Sequence, residues 1–113
     1  MKSYDVGFIL TAGYSSIAYV SAVEPLMICN QLAGEECYRI ENVGVDNMSV
    51  LSSLGNQVSV GSTLEDSHKK DLWFIAGAPP VSYQEQPKLL QWLRQLPASQ
   101  QIGGISSGSY ELV

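Results

Sequence analysis

Positive charge is scarce in this sequence. Six Lys and Arg stand against eleven Asp and Glu over 113 residues, giving a net charge of −5 and a pI of about 4.6. Surfaces that grip nucleic acid must neutralise phosphates, so no direct nucleic-acid contact is expected from this chain. Long apolar runs are also missing. Nothing approaches the ~20 residues of a membrane span, and no membrane partner is expected. Cysteine occurs only at positions 29 and 37, too few and too loosely spaced for a disulfide framework or a zinc site. No metal or cofactor is expected. The opening MKSYDVGFIL has an early acid and no small-residue cleavage site, unlike a secretory signal. A cytoplasmic, reduced setting follows as the expectation. What the chain does have is apolar content: 45% of residues are hydrophobic and only 15% are charged. That balance predicts a packed core rather than disorder.

The order of elements follows from periodicity. Residues 6–10 form a short apolar run predicting a buried strand, which Gly7 weakens. Ser15 or Ser16 can cap a helix over 17–32, and Gly34 ends it. That helix is apolar on most sides, so it is expected to be covered both by its own sheet and by something else. Pro25 lies in its middle, where a missing N–H predicts a kink or break. Residues 38–45 alternate, with Tyr38 and Ile40 on one face and Arg39 and Glu41 on the other, and read as a half-exposed strand. Residues 46–63 read as a loop and an edge hairpin. The run Leu72-Trp73-Phe74-Ile75-Ala76, closed by Gly77-Ala78-Pro79-Pro80, is the pattern of a central parallel strand. Pro87 suits the first turn of a helix carrying Leu89, Leu90, Leu93 and Leu96, and Pro97 stops it. A strand at 102–105, a turn at Ser106-Ser107-Gly108 and a helix opening at 110–113 close the chain. The alternation predicts an α/β fold, a parallel-sheet three-layer sandwich.

Three strand-to-helix junctions, at 11–14, 77–80 and 105–108, should open on one edge of such a sheet. Ligands of open parallel sheets sit there, outside the carboxyl ends of the strands. Gly104-Ile105-Ser106-Ser107-Gly108 also matches G-x-S-x-G, in which a sharp turn exposes a nucleophile beside oxyanion-binding N–H groups. A serine nucleophile needs a base, and the one histidine, His68, lies in a charged connector expected to be solvated. Cys29 is expected to be a small buried hydrophobe. Glu24 either reaches the carboxyl edge or is solvated. Trp73 and Trp92 are expected in the core.

Val6-Gly7-Phe8-Ile9-Leu10-Thr11-Ala12-Gly13-Tyr14, then Ser21-Ala22-Val23-Glu24-Pro25-Leu26 and Asn30-Gln31-Leu32-Ala33-Gly34, resembles the N-terminus of GlxA-type regulators. These are AraC-family transcription factors whose sensor domain has the PfpI-like, class I glutamine amidotransferase-like, flavodoxin-like fold. The segments at 71–77, 90–93 and 103–109 resemble its central strand, later helix and nucleophile elbow. Catalytic members of the wider superfamily place Cys where this chain has Ser106, and an acid where it has Ala18; the usual Arg after Glu-Pro-Leu is Met27. The resemblance therefore implies a pocket that binds rather than transforms, at Gly13, Tyr14, Gly77, Ala78, Ser106 and Ser107. It further implies a small polar metabolite as effector, an amino acid or a quaternary amine. A homodimer is expected, with the apolar first helix supplying the contact. On this reading residues 1–113 are the N-terminal portion of a ligand-sensing domain, without the helix-turn-helix. A serine hydrolase using Ser106 is the alternative, and a scaffold stable only as an oligomer is a third reading.

Overall fold

A computed structural model describes residues 3–77 and 85–106. In chain order the elements are β1 (Tyr4–Leu10), α1 (Ser16–Ala33), β2 (Tyr38–Gly44), β3 (Ser49–Leu51), β4 (Gln57–Ser59), β5 (Ser62–Thr63), β6 (Leu72–Gly77), α2 (Gln86–Arg94) and β7 (Gln101–Ser106). Five strands form one parallel sheet in the order β5-β2-β1-β6-β7. The chain adds β2 on one side of β1, then crosses to add β6 and β7 on the other. This is the order of flavodoxin-like sheets, and it puts a topological switch point between β1 and β6.

The period-two alternation of the central strands builds two cores. Val6, Phe8 and Leu10 pack on one face with Val23, Tyr19, Ala22 and Leu26 of α1. Ile9, Trp73 and Ile75 pack on the other with Leu89, Trp92 and Leu93 of α2. Helix, sheet and helix are thus the three layers. Tyr38 and Ile40 of β2 join the α1 side. On the opposite face Arg39 pairs with Asp5 (2.7 Å) and Glu41 with Lys70 (3.1 Å). Gly7 is required rather than merely tolerated, because a Cβ there would overlap the ring of Trp73 on β6. Trp73 in turn meets Trp92 edge-to-face at 4.7 Å.

α1 starts where Ser15 accepts the N–H of Ala18 (3.3 Å) and ends where Gly34 adopts a left-handed φ of 69°. That conformation suits glycine. Asn30 anchors its last turn to β2, donating to the Tyr38 carbonyl and accepting the Tyr38 N–H, both at 2.9 Å. The helix runs through Pro25 without the expected break. Its outer side is uncovered: Ile17 is 79% exposed and Leu32 83%, with Val20, Met27 and Ile28 also exposed. Cys29 belongs to this outer surface, contrary to the burial expected of it. A helix lying on a sheet meets it along one stripe only, and here that stripe runs through Val23. Glu24 and His68 are exposed. The hairpin of β3 and β4 forms its own two-stranded sheet, and Val50 and Val60 join the α1-side core. The helix opening expected at 110–113 lies outside the described residues. None of the described helices is long and apolar enough to cross a membrane.

Candidate functional site

The parallel register brings three strand ends to one edge. Leu10 pairs with Ala76, Ala76 with Ile105, and Gly77 with Ser106. Gly77 and Ser106 are therefore neighbours across adjacent strand ends, one strand from the loop that leaves β1. Ser106 is the last residue of β7. Ala78 and Ser107, also expected at this site, lie outside the described residues.

The loop leaving β1 is held from three directions. Thr11, fully buried, donates both its N–H (3.1 Å) and its hydroxyl (3.0 Å) to the Ala76 carbonyl on β6. Gly13, at φ 80°, donates its N–H to the Leu51 carbonyl of the hairpin (2.7 Å). Tyr14 accepts the N–H of Ser53 (2.8 Å), and Ser53 Oγ accepts that of Ser16 (3.2 Å). Ala12 donates its N–H to Glu85 Oε1 (2.8 Å), just ahead of α2. A loop so fully hydrogen-bonded presents a fixed wall rather than free donors. Of the expected site residues, Gly13 and Tyr14 form that wall: the Gly13 and Tyr14 N–H groups are both engaged, the latter by Thr11. The Tyr14 ring is buried edge-to-face with Tyr19 at 5.7 Å. Burial, with the neighbouring Tyr19, pushes the Tyr14 hydroxyl's pKa up. Burial also raises that of Tyr19, opposed by its hydrogen bond to Asn42 (2.8 Å).

Sequence reasoning expected the hairpin but put neither it nor Glu85 beside this loop. Glu85 is only 8% exposed. Together with Ala12, Asn47, Ser49, Val50, Leu51 and Gln57 it lines a cleft of about 210 Å³ between the β1 loop and the hairpin. A larger groove of about 590 Å³ runs beside α2, crossed by the Lys88–Asp46 ion pair (2.7 Å). Among the described residues no group of three or more His, Cys, Asp or Glu gathers to hold a metal.

The sheet order, the two flanking helices and the shared strand edge are those of ThiJ/PfpI and DJ-1 superfamily domains. A ThiJ/PfpI family protein from Pseudomonas syringae superposes with a TM-score of 0.67 at 14% identity, covering 99% of this chain and 46% of that one. An AraC family transcriptional regulator from Pseudomonas putida superposes with a TM-score of 0.77 at 24% identity, covering 96% of this chain and 68% of that one. In sequence the homologues are narrower in kind: they are HTH-type transcriptional regulators of the AraC type. The regulator CdhR of Pseudomonas aeruginosa is 39% identical over 112 residues, 97% of this chain and 33% of its own length. The regulator GlxA of Rhizobium meliloti is 32% identical over 109 residues, 95% of this chain and 34% of its own length. The chain thus spans about a third of these curated relatives. No protein-family model matches it.

Proposed function

We propose that this chain is the first part of a non-catalytic, ligand-sensing and dimerising domain of an AraC-type transcriptional regulator acting in the cytoplasm. The observation that carries this reading is the meeting of the β1, β6 and β7 ends at the switch point in a chain whose homologues are regulators. Gly13 and Tyr14 wall the site. Gly77 and Ser106 floor it, and the N–H groups of Ala78 and Ser107 receive a carboxylate or carbonyl that the Ser106 hydroxyl orients. The effector is a small polar metabolite, an amino acid or a quaternary amine. The exposed apolar side of α1 supplies the contact between two copies. The homologues' regulatory role and Ala18 at the family's acidic position favour binding over turnover.

The test pairs two measurements on the same chain. Amino acids or betaines raise its melting temperature as ligands of the folded state do, and a fluorophosphonate leaves Ser106 unlabelled. Stoichiometric labelling of Ser106 would overturn this reading in favour of a serine hydrolase.

A further inference from the structure

We infer that the groove between α1 and the outer edge of β2 is a separate site for a small neutral ligand, held by its carboxamide against the backbone of Ile40. In a parallel ladder the N–H and C=O of one strand residue point to the same side, and successive residues alternate. The Cys37 carbonyl accepts the Tyr4 N–H of β1 (2.8 Å), so Arg39, Glu41 and Val43 also face β1. Tyr38, Ile40, Asn42 and Gly44 therefore face outward. Three of these four are engaged there. Tyr38 exchanges two hydrogen bonds with the Asn30 carboxamide, both at 2.9 Å. The Asn42 carbonyl accepts the Gly61 N–H (2.8 Å) and the Gly44 carbonyl that of Leu64 (2.9 Å), as β5 takes over the edge. Ile40 sits in the gap, and among the described residues nothing meets its N–H or its C=O.

The occupant follows from the edge and its surroundings. Two positions earlier, Asn30 shows that a carboxamide, with donor and acceptor side by side, matches one outward residue at both points. An added strand would need several outward residues in succession. Asn30 on one flank and β5 on the other leave a single one. The groove reaches this edge, since Asn30, Ile40 and Asn42 all line it. Its remaining walls are largely apolar and aromatic: Tyr19, Val23, Met27 and Tyr38. The Tyr19 hydroxyl donates to Asn42 Oδ1 (2.8 Å), which fixes that wall. At about 310 Å³ the space matches the smallest ligand sites, near ~300 Å³, so it takes a whole small molecule, an amide on an apolar or aromatic body. No Lys, Arg or His lines it among the described residues, and the exposed Glu36 repels an anion. The groove shares no residue with the strand-end site of the sensor reading, so either can fail without the other.

The test combines hydrogen exchange with a ¹⁵N-NMR titration of the whole chain by benzamide. In the free chain the Ile40 amide should exchange fast, while those of Arg39 and Glu41, which donate toward β1, are protected. Saturating benzamide should slow Ile40 exchange at least ~10-fold and shift Ile40, Asn42 and the Asn30 side-chain amide. The expected Kd is on the order of 1 mM, as befits so small a ligand. N,N-dimethylbenzamide has no N–H to give and benzoate is anionic, so each should bind at least ~10-fold more weakly. Ile40→Pro removes an N–H that no ladder uses, a change that edge strands accept, and should weaken benzamide at least ~10-fold. Met27→Ala takes away part of the apolar wall from a side chain 52% exposed. It should weaken binding several-fold and stands in should the first variant not fold. Unchanged affinity in the variants, equal binding of N,N-dimethylbenzamide, or shifts confined to Gly77 and Ser106 would overturn the site. So would an Ile40 amide already protected without ligand; protection that grows with protein concentration would assign the edge to a second copy instead.

Discussion

The two edges of the sheet are built from different chemistry. At the amino edge, charge is exposed: Asp5 meets Arg39 at 2.7 Å, and Asp71 accepts the Asp5 N–H at 2.8 Å. At the carboxyl edge, apart from the Lys88–Asp46 pair, the described polar groups are buried or part-buried and mostly neutral: Thr11, Ser52, the backbone of Gly13 and Tyr14, and with them the carboxylate of Glu85. Exposed ion pairs hold position weakly, because water and salt screen them. Buried hydrogen bonds are costly to lose and so hold geometry firmly. The firmly held edge is the one where the three strands end side by side, which is where a binding wall requires fixed geometry.

Substitutions ranked by expected effect sharpen this contrast. Midway between the edges, Gly7→Ala drives a methyl into the Trp73 ring and should cost ~1–3 kcal/mol, read from denaturant midpoints. A smaller loss would mean that the Trp73–Trp92 pair shifts easily. At the carboxyl edge, Glu85→Ala removes the acceptor of the Ala12 N–H and should cost about 1–2 kcal/mol, with faster amide exchange at Ala12. Thr11→Val keeps the shape and the backbone bond to Ala76 but deletes the hydroxyl bond, for about 1 kcal/mol. At the amino edge, Arg39→Ala should change stability less than any of these. Exchange at Ala12 unchanged by Glu85→Ala, or an Arg39→Ala loss as large as that of Thr11→Val, would erase the distinction between the edges.

Acid titration gives a separate reading of the amino edge. The hydrogen bond from Arg39 is the main reason the Asp5 carboxyl sits below its usual range, burial opposing it slightly. A lowered folded-state value means that this contribution is fully present above the ordinary carboxylate pKa near ~4. It is lost as pH falls through the lower folded value. Asp5→Asn should remove that small component of the acid dependence and leave the unfolding midpoint at neutral pH almost unchanged.

The strands and helices were largely legible from local pattern. The apolar runs at 6–10 and 72–76 became β1 and β6 at the centre of the sheet, and the alternation at Tyr38–Glu41 became the two faces of β2. Ser15 and Gly34 bounded α1 as caps do. Other features rest on contacts distant in sequence, which no window registers. Gly7 reads as a flaw in a strand until Trp73 is seen against it. Glu85 draws no notice in the sequence, because the Ala12 N–H that it accepts lies 73 positions earlier. Cys29 misled because an apolar helix suggests burial on every side, while the sheet covers only one stripe. The expectation that the strand ends at Gly77 and Ser106 share one edge followed from strand order, and the two residues pair there. The burial of the Tyr14 ring in the core, 3% exposed, is a contact that no local pattern announced.

The most direct test of binding without turnover is ligand-observed NMR of an amino acid or betaine incubated with the chain. A sensing pocket predicts saturation transfer to the ligand, with its covalent spectrum unchanged after prolonged incubation. Product resonances that vanish with Ser106→Ala would contradict it.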